Sequence, residues 1–280
     1  MNKRKVMVAS AQFDIKIFDK DYNLKKIEQL FRNAVEEKGA ELVVFPEASV
    51  SGYCFNNIEE CYKAGIKKDG DELKCLKELS AKYQASMVVG AVEIEGEDIY
   101  NTAFFIEPTG TVYSYRKTHL PYLGLDRFAK RGEKIEAFDS GMGKMGMIIC
   151  YDLRFPEPMR KLALQGAELV IQPTNLPLGG EAHCDFLSRA RACENHVMLI
   201  SCNRCGEERG VKFFGRSQIV DISGKLLAEA GEDEQIIAAE INLDLSNEKD
   251  IIVEKDSYEL HLFSDRRTDI YENLGERDGV

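Results

Sequence analysis

Lys144-Met-Gly-Met-Ile-Ile-Cys-Tyr-Asp-Leu-Arg-Phe-Pro-Glu-Pro158 is the stretch from which the fold of this chain can be read. Its apolar run, residues 145–149, has the length of a buried strand. The strand delivers Cys150 at its end, and residues 151–155 turn the chain. Pro156 and Pro158 flank Glu157, which suits the first turn of a helix. A missing N–H costs nothing there, and a carboxylate meets the positive end of the helix dipole. The helix runs on through residues 159–165 and stops before Gly166. A thiol on a strand-to-helix turn is exposed, and backbone N–H groups near the helix start can face a developing oxyanion. The other reading of Cys150 is a structural cysteine packed beside an apolar strand.

Outward from this segment, strands and helices alternate. Strands are expected over residues 5–13, 41–47, 86–94, 168–173, 197–203 and 236–243, and helices over 22–38, 71–83 and 182–194. In the first helix Leu24, Ile27, Leu30, Phe31, Ala34 and Val35 recur at helical spacing, and Gly39 ends it. Hairpins interrupt over residues 100–117, around Pro108-Thr-Gly110, and over 214–230, around Ser223-Gly224. Residues 48–57 read as irregular, and 118–134 as a long loop rich in Pro, Gly and charge. Residues 244–254 look helical, and a polar tail follows over 255–280. Alternating elements broken by hairpins make an α/β chain in which helices cover sheets and some strands run antiparallel. No linker interrupts it, so one domain is expected over residues 1–280. A faint echo of strand, helix, strand and hairpin in each half suggests two stacked sheets with the helices outside.

Composition removes several functions. The 280 residues carry 37 Lys and Arg against 48 Asp and Glu, a net charge of −11. That disfavours a nucleic-acid surface and an anionic membrane. No apolar run reaches the length of a membrane span. The apolar residues 6–11 read as a first strand, not a signal peptide, so a cytoplasmic location is expected. The eight cysteines show no disulfide framework. Cys202-Asn-Arg-Cys205 lacks a second pair or histidines at ligand spacing, so no metal site is expected.

Three ionisable residues fall at the ends of expected strands: Glu47 after Phe45-Pro46, Lys117 in Tyr115-Arg-Lys-Thr-His-Leu-Pro121, and Cys150. Strand ends are where α/β proteins collect their chemistry. Each residue also has a plain structural reading: Glu47 as a loop cap, Lys117 as a solvated hairpin end, Cys150 as core. Together they make a chemically complete set. A thiol titrating near pH about 8.5 needs a base or a neighbouring cation. Glu47 can take its proton, and Lys117 can favour the thiolate and then an oxyanion.

These segments resemble the nitrilase, or carbon–nitrogen hydrolase, superfamily in its amidase-like branch. The resemblance rests on Phe45-Pro-Glu-Ala-Ser49 with Ser51-Gly-Tyr53, on Tyr115-Arg-Lys-Thr-His-Leu120, and on Gly146-Met-Ile-Ile-Cys-Tyr-Asp-Leu-Arg-Phe-Pro-Glu157, in the family's order. It extends through Gly166-Ala-Glu-Leu-Val170, Arg191-Ala-Cys-Glu-Asn195, Phe214-Gly-Arg-Ser-Gln218 and Arg266-Arg267. It implies a four-layer α-β-β-α sandwich of two mixed sheets, a homodimer or larger homo-oligomer, and catalysis without metal or organic cofactor. By motif, Glu47 becomes the general base, Lys117 the electrostatic stabiliser and Cys150 the nucleophile. Many members carry a second glutamate in the loop after the lysine. Here Asp126 is the nearest carboxylate, one methylene shorter, either a second acidic group or a solvated loop residue.

The substrate implied is a small-molecule amide or ω-amide. Tyr after the nucleophile fits amidases better than nitrilases. Arg154 is near enough to Cys150 to meet a substrate carboxylate, or else to pair with Glu157. Tyr151 offers its backbone N–H to the oxyanion. Asn175, after the next strand, and Tyr53 are expected to line the pocket, with Phe186 a looser candidate. An N-carbamoyl amine or amino acid is an alternative substrate. A non-catalytic binding or assembly protein and a soluble acyltransferase are alternative functions.

Overall fold

The computed structural model of the chain describes residues 4–271. In chain order, β1 (Lys5–Gln12) leads into α1 (Lys20–Lys38), then β2 (Leu42–Val44), α2 (Ile58–Ala64) and α3 (Asp71–Tyr83). A meander follows: β3 (Ser86–Glu95), β4 (Asp98–Ile106) and β5 (Val112–Arg116). The second half opens with β6 (Phe138–Ser140), β7 (Gly143–Met147), α4 (Pro156–Leu164), β8 (Leu169–Thr174), α5 (Ser188–Asn195) and β9 (Met198–Asn203). It continues with β10 (Cys205–Glu208), β11 (Val211–Phe214), β12 (Gln218–Val220), β13 (Leu226–Glu229), β14 (Gln235–Asn242), β15 (Asp250–Glu254) and β16 (Tyr258–His261).

Two six-stranded sheets result, ordered β14-β1-β2-β3-β4-β5 and β13-β12-β9-β8-β7-β6. In each, three parallel strands form the centre: β1-β2-β3 in one and β7-β8-β9 in the other. Antiparallel strands flank them. Alternation along the strands sends one set of side chains to each face. Val8, Val44, Val88 and Phe105 of the first sheet meet Met147, Ile171, Ile200 and Ile219 of the second in one buried cluster. The opposite faces are covered by helices. Ile27, Phe31 and Leu76 of α1 and α3 pack on the first sheet, and Met159, Leu162 and Ala192 of α4 and α5 pack on the second. The layers are therefore α-β-β-α, as expected.

Four local expectations are corrected. Residues 244–254 are not helical: a short 3-10 turn over Leu243–Asn247 precedes β15, which pairs antiparallel with β16. Three consecutive β-branched residues, Ile251, Ile252 and Val253, favour a strand there. The region read as a polar tail from 255 contains β16, and Phe263 lies under the charged ends of Arg160 and Lys249 at 5.0 and 5.1 Å; its last part, 272–280, lies outside the described residues. Phe214 belongs to the β10–β11 hairpin instead of β12, because Gly215 at φ +70° breaks the strand between them. The strands before Glu47 and Cys150 end early, at Val44 and Met147, so both residues sit in turns beyond the strands.

Candidate active site

Glu47 reaches its position because β3 has no side chain at Gly90. A Cβ there would stand 2.3 Å from the Ala48 nitrogen and 2.8 Å from the Glu47 carbonyl carbon. The turn is further held by Val50 N–H donating to the Gly90 carbonyl at 3.0 Å and Gly90 N–H donating to Ser49 Oγ at 3.1 Å. Lys117 leaves the end of β5, its own N–H donating to the Asn101 carbonyl of β4 at 2.8 Å. Cys150 opens a 3-10 turn over Cys150–Arg154 at φ +44°, in the left-handed region that a non-glycine residue occupies only under constraint. Asp152 is one source of that constraint. Its Oδ2 accepts from Ile149 N–H at 2.9 Å and Tyr115 O–H at 2.8 Å, and its Oδ1 from Thr118 O–H and His119 N–H at 2.9 Å. One carboxylate thus ties the nucleophile's turn to the segment after Lys117.

The charged groups converge in a site almost without solvent. Lys117 Nζ lies 2.7 Å from Glu47 Oε1 and 2.6 Å from Asp126 Oδ2. Asn101 Nδ2 donates to the same two carboxylates, at 2.6 Å to Glu47 Oε1 and 2.8 Å to Asp126 Oδ1. Tyr53 O–H donates to Asp126 Oδ2 at 2.7 Å. Asp126 is therefore a buried partner of the lysine, not a solvated loop residue. Glu47 Oε2 is buried with no hydrogen-bond partner among the described residues.

Burial sets the protonation states. It pushes the Glu47 carboxyl up, with Lys117 opposing and Asp126 adding to the rise. Burial would lower Lys117, but the charges of Asp126 and Glu47 outweigh it and hold the ammonium well above its usual range. The Cys150 thiol is pushed up to about 12 by burial and the Glu47 charge, with Lys117 acting against them. The resting arrangement is a thiol and a raised carboxyl beside an ammonium held charged.

A cavity of about 570 Å³ opens over Cys150, a size suited to a small ligand. Tyr53, Tyr151, Arg154 and Asn175 are among the residues that line it. Phe186 does not; its side chain is 57% exposed elsewhere. Asn175 is 1% exposed, and both its amide atoms lack partners among the described residues. The Arg154 guanidinium makes no ion pair among the described residues, with Glu157 or any other carboxylate. The ring of Tyr53 reaches the cavity, while its hydroxyl is committed to Asp126. Tyr151 stands edge-on to Phe155, which stacks on His119 at 4.0 Å between centroids.

Two functional neighbours escaped the sequence reading. Asn101 could have been flagged as an amide within the mostly apolar run of β4. His183, fully buried in the cavity wall, gave no motif; it follows Gly179-Gly180 at the start of an irregular turn. Among the described residues no cluster of His, Cys, Asp and Glu could hold a metal ion. No helix there is long and apolar enough to cross a membrane.

The chain is similar to known proteins along most of its length. Residues 7–249 match the family model described as carbon-nitrogen hydrolase. A protein of Pyrococcus abyssi named nitrilase is 36% identical over 271 residues, covering 95% of this chain and 99% of its own length. The 2-oxoglutaramate amidase of Bacillus subtilis is 33% identical over 268 residues, covering 94% and 98% respectively. The crystal structure of Nit3 of Saccharomyces cerevisiae, from branch 10 of the nitrilase superfamily, superimposes with a TM-score of 0.78 at 30% identity, covering 87% of this chain and 92% of that one.

Proposed function

We propose, from the premise that this chain belongs to the carbon–nitrogen hydrolase family of the nitrilase superfamily, that it hydrolyses the ω-amide of a small dicarboxylic acid to the acid and ammonia. The observation that carries the reading is the buried Glu47–Lys117–Asp126 cluster beside a cysteine in a constrained turn, with Glu47 Oε2 still unclaimed. Glu47 accepts the thiol proton on that oxygen. The Cys150 sulfur attacks the amide carbon, and Lys117 with the Tyr151 N–H stabilises the tetrahedral oxyanion. Removing one such donor costs about 3–4 kcal/mol of barrier. Glu47 returns the proton to the departing ammonia, then draws a proton from the water that cleaves the thioester. Asp126 holds Lys117 in place and keeps it charged.

Arg154 supports the substrate class. A guanidinium on the wall of the cavity, unpaired among the described residues, suits the distal carboxylate of an ω-amide acid. The amidase named for 2-oxoglutaramate, itself such an ω-amide, points the same way. The reading takes the protein as a cytoplasmic homodimer or larger assembly without nucleic-acid or membrane partners; a net charge of −11 and eight free thiols fit it.

The test is ammonia release from glutaramate, succinamate, butyramide, a nitrile and an N-carbamoyl amino acid. Glutaramate or succinamate should be the better substrates. Cys150→Ala should lose at least about 10⁴-fold in rate. Arg154→Met should raise KM for the ω-amide acids about 10–100-fold, the value of a charged hydrogen bond, and leave butyramide unaffected. Activity surviving in Cys150→Ala would sink the mechanism, and equal turnover of butyramide and glutaramate would sink the substrate class.

A further inference from the structure

The peptide joining Cys150 to Tyr151 carries two groups that matter: the Cys150 carbonyl and the Tyr151 N–H. In a planar trans peptide these point in opposite directions, so fixing one aims the other. The Cys150 carbonyl accepts a hydrogen bond from Gln172 Nε2 at 3.0 Å. Gln172 lies on β8, fully buried. Its other amide atom, Oε1, stands 3.1 Å from His183 Nε2. Gln172 spends its Nε2–H on a carbonyl, so Oε1 is an acceptor and His183 Nε2 carries the proton. The imidazole is then neutral with a bare Nδ1, and that atom is buried with no partner among the described residues. A second proton on Nδ1 would find no acceptor there and would face the charges of Arg154 and Arg191.

We propose that Gln172 and His183 are positioning residues which lock the Cys150–Tyr151 peptide so that the Tyr151 N–H faces the oxyanion. The inference rests on the proposed roles of Cys150 and the Tyr151 N–H. The lock has one direction: His183 Nε2–H orients the Gln172 amide, and Gln172 then donates to the Cys150 carbonyl. Were the amide reversed, its oxygen would face the carbonyl oxygen and its N–H₂ would face a ring N–H, two repulsive contacts. Donation to the carbonyl also polarises the peptide and strengthens its N–H as a donor. The constrained φ of Cys150 makes such a lock necessary, since a free peptide there would relax.

The experiment compares wild type, Gln172→Met, Gln172→Glu, His183→Phe and His183→Gln on glutaramate. It adds inhibition by 5-oxopentanoate, an aldehyde whose carbon takes the Cys150 sulfur while its oxygen takes the proton. Gln172→Met should lower kcat about 10–100-fold, below the full loss of an oxyanion donor, with KM nearly unchanged. Aldehyde affinity should fall by the same factor. His183→Phe should behave alike, and His183→Gln, whose amide N–H can replace Nε2–H, should recover most of kcat. Gln172→Glu should lose kcat as pH rises through the titration of its carboxyl, because only the protonated acid can donate to the carbonyl. That limb is absent from the wild type. Unchanged kcat and aldehyde affinity in both Gln172 variants would overturn the proposal, as would a pH-independent loss in Gln172→Glu without rescue by His183→Gln. Should Gln172→Met fail to fold, the pH limb of Gln172→Glu and the His183 pair decide it. Full activity in Cys150→Ala would instead overturn the underlying reading of the site.

Discussion

Burying Lys117 between Glu47 and Asp126 removes three charges from water, and the two short ion pairs with the Asn101 and Tyr53 hydrogen bonds offset that cost. The Asp126 charge is one of the forces that raise the Glu47 carboxyl. Asp126→Asn removes it, so Glu47 should stay ionised to lower pH. The acid limb of the kcat/KM profile should then move down, with kcat reduced about 10–100-fold through the less basic Glu47. A limb that stays where it was would show that Glu47 is not the titrating base. A second prediction concerns His183, whose burial lowers it to about 3. A group depressed in the folded state contributes stability above its unfolded value that is lost as pH falls through the folded one. Between pH about 6.5 and 3 the unfolded chain therefore takes up a proton that the native imidazole refuses, a loss on the order of 5 kcal/mol at most. His183→Gln should flatten the fall of Tm across that window, measured by thermal unfolding at each pH. Glu47, Lys117 and Cys150 were legible in the sequence because each ends a recognisable segment. Asp126 was ambiguous because only folding shows that its loop returns to the lysine. Asn101 left only a faint mark, an amide in a mostly apolar strand, and His183 left none, because nothing local shows that its ring is aimed inward.

Gly90 illustrates how an element serves the site. Gly90→Ala on β3 should cost about 1–3 kcal/mol through overpacking, and more if the backbone cannot shift, since its Cβ would meet backbone atoms of Glu47 and Ala48. Activity should fall more than stability because the displaced residue is the proposed base. Chemical denaturation with kinetics in parallel checks this, and Val89→Ala, a cavity-forming change on the same strand, serves as the control for stability alone. Elements with clean periodicity were readable in advance: α3 over Asp71–Tyr83, the β4–β5 hairpin around Pro108-Thr-Gly110, and β14. Two short elements were not, the β10–β11 hairpin and α2. Both have too few residues for a period to emerge, and the hairpin bend depends on Arg209 and Gly210 at φ +52° and +81°. The segment over 244–254 misled because its acidic, Asn-containing start resembles a helix, whereas its β-branched run pairs with a partner strand further along the chain.

At the scale of the whole molecule, stability resides in the apolar layer between the two sheets. Ile171→Ala, which opens a cavity there, should cost about 2–5 kcal/mol, and circular dichroism and tyrosine fluorescence should still report one shared transition. Two separated transitions would show that the sheets hold together independently. Arg4 adds a clamp between the layers, hydrogen-bonded to Glu168 beside β8 and to Asp244 beyond β14. The pairing of β14 with β1, running from Lys5 opposite Asn242 to Gln12 opposite Gln235, has a bearing on how the protein is made. The second sheet is contiguous, from β6 to β13, and can close as soon as its own stretch has left the ribosome. The first cannot. Its strand β1 is made more than 200 residues before β14 and waits with one open edge for that partner. A nascent chain stalled before residue 235 thus carries β1 paired with β2 on one side and bare on the other, and during translation that edge is where chaperones would be needed most.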